Sequence, residues 1–122
     1  MTNIENERVK PIILHDADNG QDYTLEFTKE TVKWAEARGF SLDDLDRYPM
    51  TKVYEFFFYA FRAHHPNVSR ERTDRIIDEA WGGIGGIPDG VIERLGQLYT
   101  EPFHAMAKAN GDGKNARVTV EL

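Results

Sequence analysis

The chain contains no cysteine, which removes disulfide staples, thiol nucleophiles and thiolate metal sites together and makes a reducing cytoplasm its natural setting. No stretch approaches the roughly 20 apolar residues that a membrane span requires. Met1 to Lys10 is polar and acidic where a secretion signal would be basic and then apolar, so a soluble, unprocessed protein is expected, with no membrane partner. Positive charge is also scarce: 15 Lys and Arg stand against 21 Asp and Glu, a net charge of −6. That balance repels a polyanion, and the bases are scattered among acids, so no nucleic-acid partner is expected. Arg70, Arg72 and Arg75 form the densest basic group. Asp74, Arg75 and Glu79, however, follow Arg70, Glu71 and Arg75 at the four-residue spacing of solvated helix-surface pairs.

What is present is ordinary for one globular domain: 40% apolar and 30% charged residues in 122 positions, enough for one core and too few for two. Residues 1–8 alternate in charge and read as a loose arm, ahead of a single domain over 9–110. Two β-prone runs, Pro11 to Leu14 and Tyr23 to Phe27, flank Asn19-Gly20, the strongest short hairpin signal. A two-residue turn there would pair Leu14 with Leu25, Ile12 with Phe27 and Asp16 with Tyr23. A helix starts near Lys29, with Thr28 as its N-cap, Glu30 in its first turn and Phe27 able to staple against Val32. Gly39 in the left-handed C′ position ends it, with Phe40 folding back on Ala35.

Ser41-Leu42-Asp43-Asp44 opens a short turn of helix that Pro49 closes. Thr51 then caps an aromatic helix that Pro66 stops after His65. Ser69 caps the next helix, which buries Thr73, Ile76, Ile77, Ala80 and Trp81 and ends at Gly82-Gly83. A last helix runs from Pro88 to about Ala109, kinked by Pro102. Beyond it, Arg117 to Leu122 alternates as a strand would, within a mobile tail over 111–122 that could pair with a hairpin edge or with a partner. The fold class is therefore α+β: an N-terminal β-hairpin packed on a compact bundle of about four α-helices, with a flexible C-terminal tail.

Candidate chemistry is thin. Asp16 to Asp22 looks like a calcium loop, but with Gly20 as the sharp-turn glycine the liganding positions fall on His15, Ala17 and Phe27, which supply no suitable oxygens. His15, His64, His65 and His104 lack metal-ligand spacing, so no metal is expected. His64 is placed at the rim of the core, near a helix C-terminus that favours its charged form. Gly82-Gly83-Ile84-Gly85-Gly86 follows a predicted helix, not a strand, and lacks the Lys-Ser/Thr ending of a phosphate cradle, so it reads as a flexible connector. Nothing suggests a cofactor, and no nucleophile elbow, triad order or acid pair in an apolar setting is available to an enzyme.

The dominant feature is Tyr54-Glu55-Phe56-Phe57-Phe58-Tyr59-Ala60-Phe61, six aromatic rings in eight residues. On a helical wheel the apolar arc spans roughly 200°, twice the stripe that a surface helix needs. Such a helix is either central to the domain or shared with a partner. Its leftover surface points to protein binding, with Tyr54, Phe57, Phe58 and Phe61 as an i, i+3, i+4, i+7 stripe of anchors and self-association also possible.

Tyr23 to Glu36, the step Gly39-Phe40, and Glu55 to Phe61 followed by His64-His65-Pro66 together resemble the tail assembly chaperones of siphophages and prophages of Gram-positive bacteria, over roughly residues 10 to 81. The resemblance implies a non-enzymatic morphogenesis factor in the infected host's cytoplasm, not expected in the mature virion. Such a factor binds the tape measure protein, keeps it soluble and recruits the major tail tube protein. It also implies that Leu122 would end the short form of a frameshifted product. A small structural virion subunit, such as a connector or completion protein, is the alternative. With the stripe and the tail strand as contacts, the protein-interaction residues are Tyr54, Phe57, Phe58, Phe61, Val118 and Val120. Serine at positions 58 and 61 is then expected to spare the fold and abolish tape measure binding.

Overall fold

A computed structural model describes residues 8–111 and 121. Two antiparallel strands, β1 (Ile12–Asp16) and β2 (Gln21–Leu25), are followed by α1 (Lys29–Ala37), a single turn α2 (Asp44–Arg47), α3 (Pro49–Phe61), α4 (Arg70–Trp81), a 3-10 turn at Ile84–Gly86 and the long α5 (Asp89–Gly111). The α+β class expected from the sequence is the observed one. Apart from Arg8, Gly111, which is the last residue of α5, and Glu121, the expected arm and tail, with Val118 and Val120, lie outside the described residues.

The hairpin forms in a different register from the one that Asn19-Gly20 suggests. Ile12 pairs with Leu25, Leu14 with Tyr23 and Asp16 with Gln21, leaving a loop of Ala17-Asp18-Asn19-Gly20. Side-chain bonds build this wider loop. Asp16 Oδ1 accepts from the Asp18 N–H at 3.0 Å and Asn19 Oδ1 from the Gln21 N–H at 2.8 Å, while Gly20 alone takes a positive φ, 69°. Asn19 thus serves as an acceptor instead of sharing a two-residue turn. Because side chains alternate with period 2, a shift of two positions leaves the same residues facing inward; Tyr23 and Leu25 are buried, with Ile12 and Leu14 packed beside them.

Helix α1 is bounded by the residues that mark it in the sequence. Thr28 accepts from the Thr31 N–H at 3.2 Å, and Thr31 Oγ1 accepts from the Thr28 N–H at 2.8 Å, a capping box in which threonine stands where Glu or Gln is usual. At the other end Gly39 has φ 87° and the Phe40 N–H reaches the Ala35 carbonyl at 3.1 Å, which turns the Phe40 ring into the core. Helix α3 begins two residues before Thr51, with Pro49 in its first turn and Tyr48 as N-cap; proline lacks only an N–H that would be unpaired there anyway. It ends at Phe61, and a turn carries the chain through His64 and His65. Along α4, Ala80 is exposed, not buried as its spacing suggests, and the inward positions are Thr73 and Ile77.

Helix α3 is the hub: β2, α1, α2, α4 and the 3-10 turn all pack on it. A group of rings fills the centre, with Phe56 stacked on Phe27 at 5.5 Å and on Phe40 at 5.0 Å, and Tyr99 of α5 edge-on to all three. Stacked and edge-on geometries each add about 0.5–1.5 kcal/mol beyond area burial. The glycine segment after α4 is not a loose connector. Gly82 closes α4 with φ 74°, and a Cβ at Gly86 would lie 1.8 Å from the Trp81 carbonyl oxygen, so the turn is pressed against the helix end and delivers Ile87 to the core.

Candidate protein-interaction surface

The aromatic stripe divides between core and rim. Phe57 and Phe61 are both 0% exposed, Phe57 lying 5.7 Å from Trp81 and Phe61 5.6 Å from Tyr23. These two rings are therefore core, and their expected role as surface anchors is corrected: β2 and α4 cover the arc that a helical wheel leaves open. Tyr54 and Phe58 remain half-buried at the edge. The Tyr54 hydroxyl donates to the Asp78 carboxylate of α4, a bond that holds the phenol above its usual range. Serine at position 61 would damage the fold, against the sequence-based expectation.

The polar side of α3 is enclosed as well. Glu55, 8% exposed, accepts from the Tyr59 hydroxyl at 3.0 Å and from Lys52 Nζ at 3.4 Å. A carboxylate out of water requires such partners. Burial, and then the bond to Glu55, pushes the Tyr59 phenol up to about 12. Two further cross-links bind the hairpin to the helices. The Thr24 N–H donates to His65 Nε2 at 3.1 Å, and Arg72 donates to the Tyr23 hydroxyl at 2.9 Å. A backbone donor on Nε2 requires the neutral ring with its proton on Nδ1; burial, and then the neighbouring His64, lower the His65 pKa from its usual 6.5. His64 pairs with Glu26 at the surface.

Trp34 of α1 lies half-buried against Phe58 at 5.8 Å and edge-on to Tyr59 at 5.2 Å. The Arg38 and Arg62 guanidinium carbons sit 4.5 and 4.4 Å from its ring centre, and Arg70 lies 5.9 Å from that of Phe58. Arg70 is paired with Asp74 at 3.3 Å; Arg62 gives one N–H to the Pro66 carbonyl at 3.1 Å. Among the described residues neither Arg38 nor Arg62 meets a carboxylate within 4.0 Å. Sequence reasoning missed this patch. Trp34 and Arg38, the C-cap of α1, carry the i, i+4 signal, but Arg62 is the C-cap of α3 and only the packing of α1 on α3 brings it in.

A second exposed apolar feature lies between α1 and α5, where a 260 Å³ groove is lined by Val32, Lys29, Lys33, Glu36, Pro102, Phe103 and Met106. Phe103 and Met106 are 47% and 41% exposed. Among the described residues no group of three His, Cys, Asp or Glu could hold a metal ion, and no helix is long and apolar enough to cross a membrane.

Comparison with curated proteins and with solved structures brings no match. A family model covers residues 6–122, nearly the whole chain, and the chain belongs to that family, DUF5055, described as a domain of unknown function.

Proposed function

We propose that this domain is a phage tail assembly chaperone, a non-enzymatic protein of the host cytoplasm that binds the tape measure protein, keeps it soluble and recruits tail tube subunits. One observation carries the reading. The segments in which the sequence resembles such chaperones, Tyr23 to Glu36 and Glu55 to Pro66, come together in space: Tyr23 meets Phe61 at 5.6 Å and His65 at 5.3 Å, and Trp34 meets Tyr59 at 5.2 Å. The resemblance thus follows the folded heart of the domain and not a scatter of surface positions. The mixed surface of Trp34 and Phe58 with arginines, and the open groove beside Phe103 and Met106, add support, since a chaperone for a long helical protein needs apolar and cationic area and no reaction chemistry.

Co-expression with the tape measure protein of the same phage genome tests the proposal. A soluble complex retained through purification is expected; a tape measure protein that aggregates equally with and without the domain would refute it. Mass spectrometry of purified particles separates the alternative, because a chaperone is absent from them and a structural subunit is present.

A further inference from the structure

We propose that Trp34, Arg38 and Arg62 form a docking site for an acidic segment of a partner protein. Carboxylates of that segment bind the two arginines, and an apolar side chain beside them rests on the edge of Trp34 and Phe58. The argument begins with charge. The chain carries −6 overall, yet this face concentrates guanidinium groups, two of which lack a carboxylate partner among the described residues. A guanidinium held 4.4–4.5 Å from an indole ring centre is restrained in orientation, and each guanidinium carries five N–H donors, of which Arg62 gives one to the Pro66 carbonyl. Less side-chain freedom is then lost when a carboxylate is bound in the forked, two-bond manner that arginine favours.

The platform beneath is firm, because Trp34 rests edge-on against Tyr59, which is itself buried and bonded to Glu55. Tryptophan and arginine at the edge of a packed core are the residue types that dominate binding energy at protein interfaces. A nucleic acid would also offer anions, but its long run of phosphates meets the repulsion of the whole acidic chain. A short acidic protein segment carries its charge only where the arginines are. The site is independent of the tail-assembly reading and serves any partner of this chemistry.

The test is fluorescence anisotropy of labelled peptides titrated with the full chain: one helical peptide of glutamate and leucine, the same peptide with lysine for glutamate, and a single-stranded oligothymidylate. The glutamate peptide should bind, more weakly as salt is raised. An Arg38→Gln/Arg62→Gln variant with an unchanged melting curve should bind about tenfold more weakly or worse, while Arg94→Gln on α5 binds as the parent does. If the double variant melts early, the single variants Arg38→Lys and Arg62→Lys, which keep the charge and lose the planar fork, replace it and should each weaken binding. No binding by the parent chain, full affinity in the arginine variants, equal binding of the lysine peptide, or tighter binding of the oligonucleotide would each overturn the proposal.

Discussion

The division of α3 between core and rim is open to a direct measurement, made by truncating Phe61 and Phe58 separately to alanine. Phe61 is 0% exposed and packs against Tyr23 and His65 at 5.6 and 6.1 Å. Removing such a ring costs about 3–5 kcal/mol, as lost transfer energy and as the cavity left behind. That is a large share of the about 5–15 kcal/mol that holds a domain of this size together. At roughly 4 °C per kcal/mol, the melting point of Phe61→Ala should drop by roughly 12–20 °C. Phe58 is only half-buried, so Phe58→Ala should cost about 1–2 kcal/mol, and its fold should survive at 25 °C. Thermal and urea denaturation followed by circular dichroism would give both numbers. Equal losses for the two variants, or a Phe61→Ala protein melting within a few degrees of the parent, would show that the enclosure of Phe61 is wrong.

Three further outcomes follow from local geometry. Gly86→Ala should destabilise by about 1–3 kcal/mol or more, because its methyl group meets the Trp81 carbonyl, whereas Gly85→Ala, with open space around it, should melt like the parent; differential scanning calorimetry distinguishes them. Thr28→Ala should lose about 1 kcal/mol in urea titration by removing half of the α1 capping box. For His65, whose native pKa is lowered from 6.5, the unfolded chain takes up the proton first as acid is added. The stabilisation is therefore complete above about pH 6.5 and is lost as the pH falls through the lower native value. Against the background of His64 and Glu26 alongside, His65→Gln, whose amide oxygen can still accept the Thr24 N–H, should lose less stability than the parent between neutral and mildly acidic pH. An identical pH profile in paired melts would remove His65 from the account.

Much of the fold was legible because its signals are local. Thr28, Gly39, Ser69 and Gly82 mark helix ends through the backbone conformations and cap bonds that their own side chains, or lack of them, allow, and each does so in the structure. The hairpin shows where local reasoning stops. The alternation of Ile12, Leu14, Tyr23 and Leu25 sets which face turns inward, but Asp16 and Asn19 side-chain bonds decide between a two-residue turn and the wider loop, and the two registers bury the same face. For α3 the wheel establishes that more apolar surface exists than one face can use. It does not say how many neighbours arrive to cover it.

The sequence by itself determined the hairpin and the helices, the ends of α1 and α4, the absence of thiol chemistry and the acidic charge, since all of these depend on residues near one another in the chain or on composition alone. Only the tertiary structure decided that Phe57 and Phe61 are spent inside, that Glu55 is buried with Lys52 and Tyr59, and that Arg62 joins Arg38 on Trp34. The physical reason is the same in each case. Exposure and ion pairing depend on which elements approach from elsewhere in the chain, and α3 is surrounded by a strand and three helices whose approach no periodicity within α3 records.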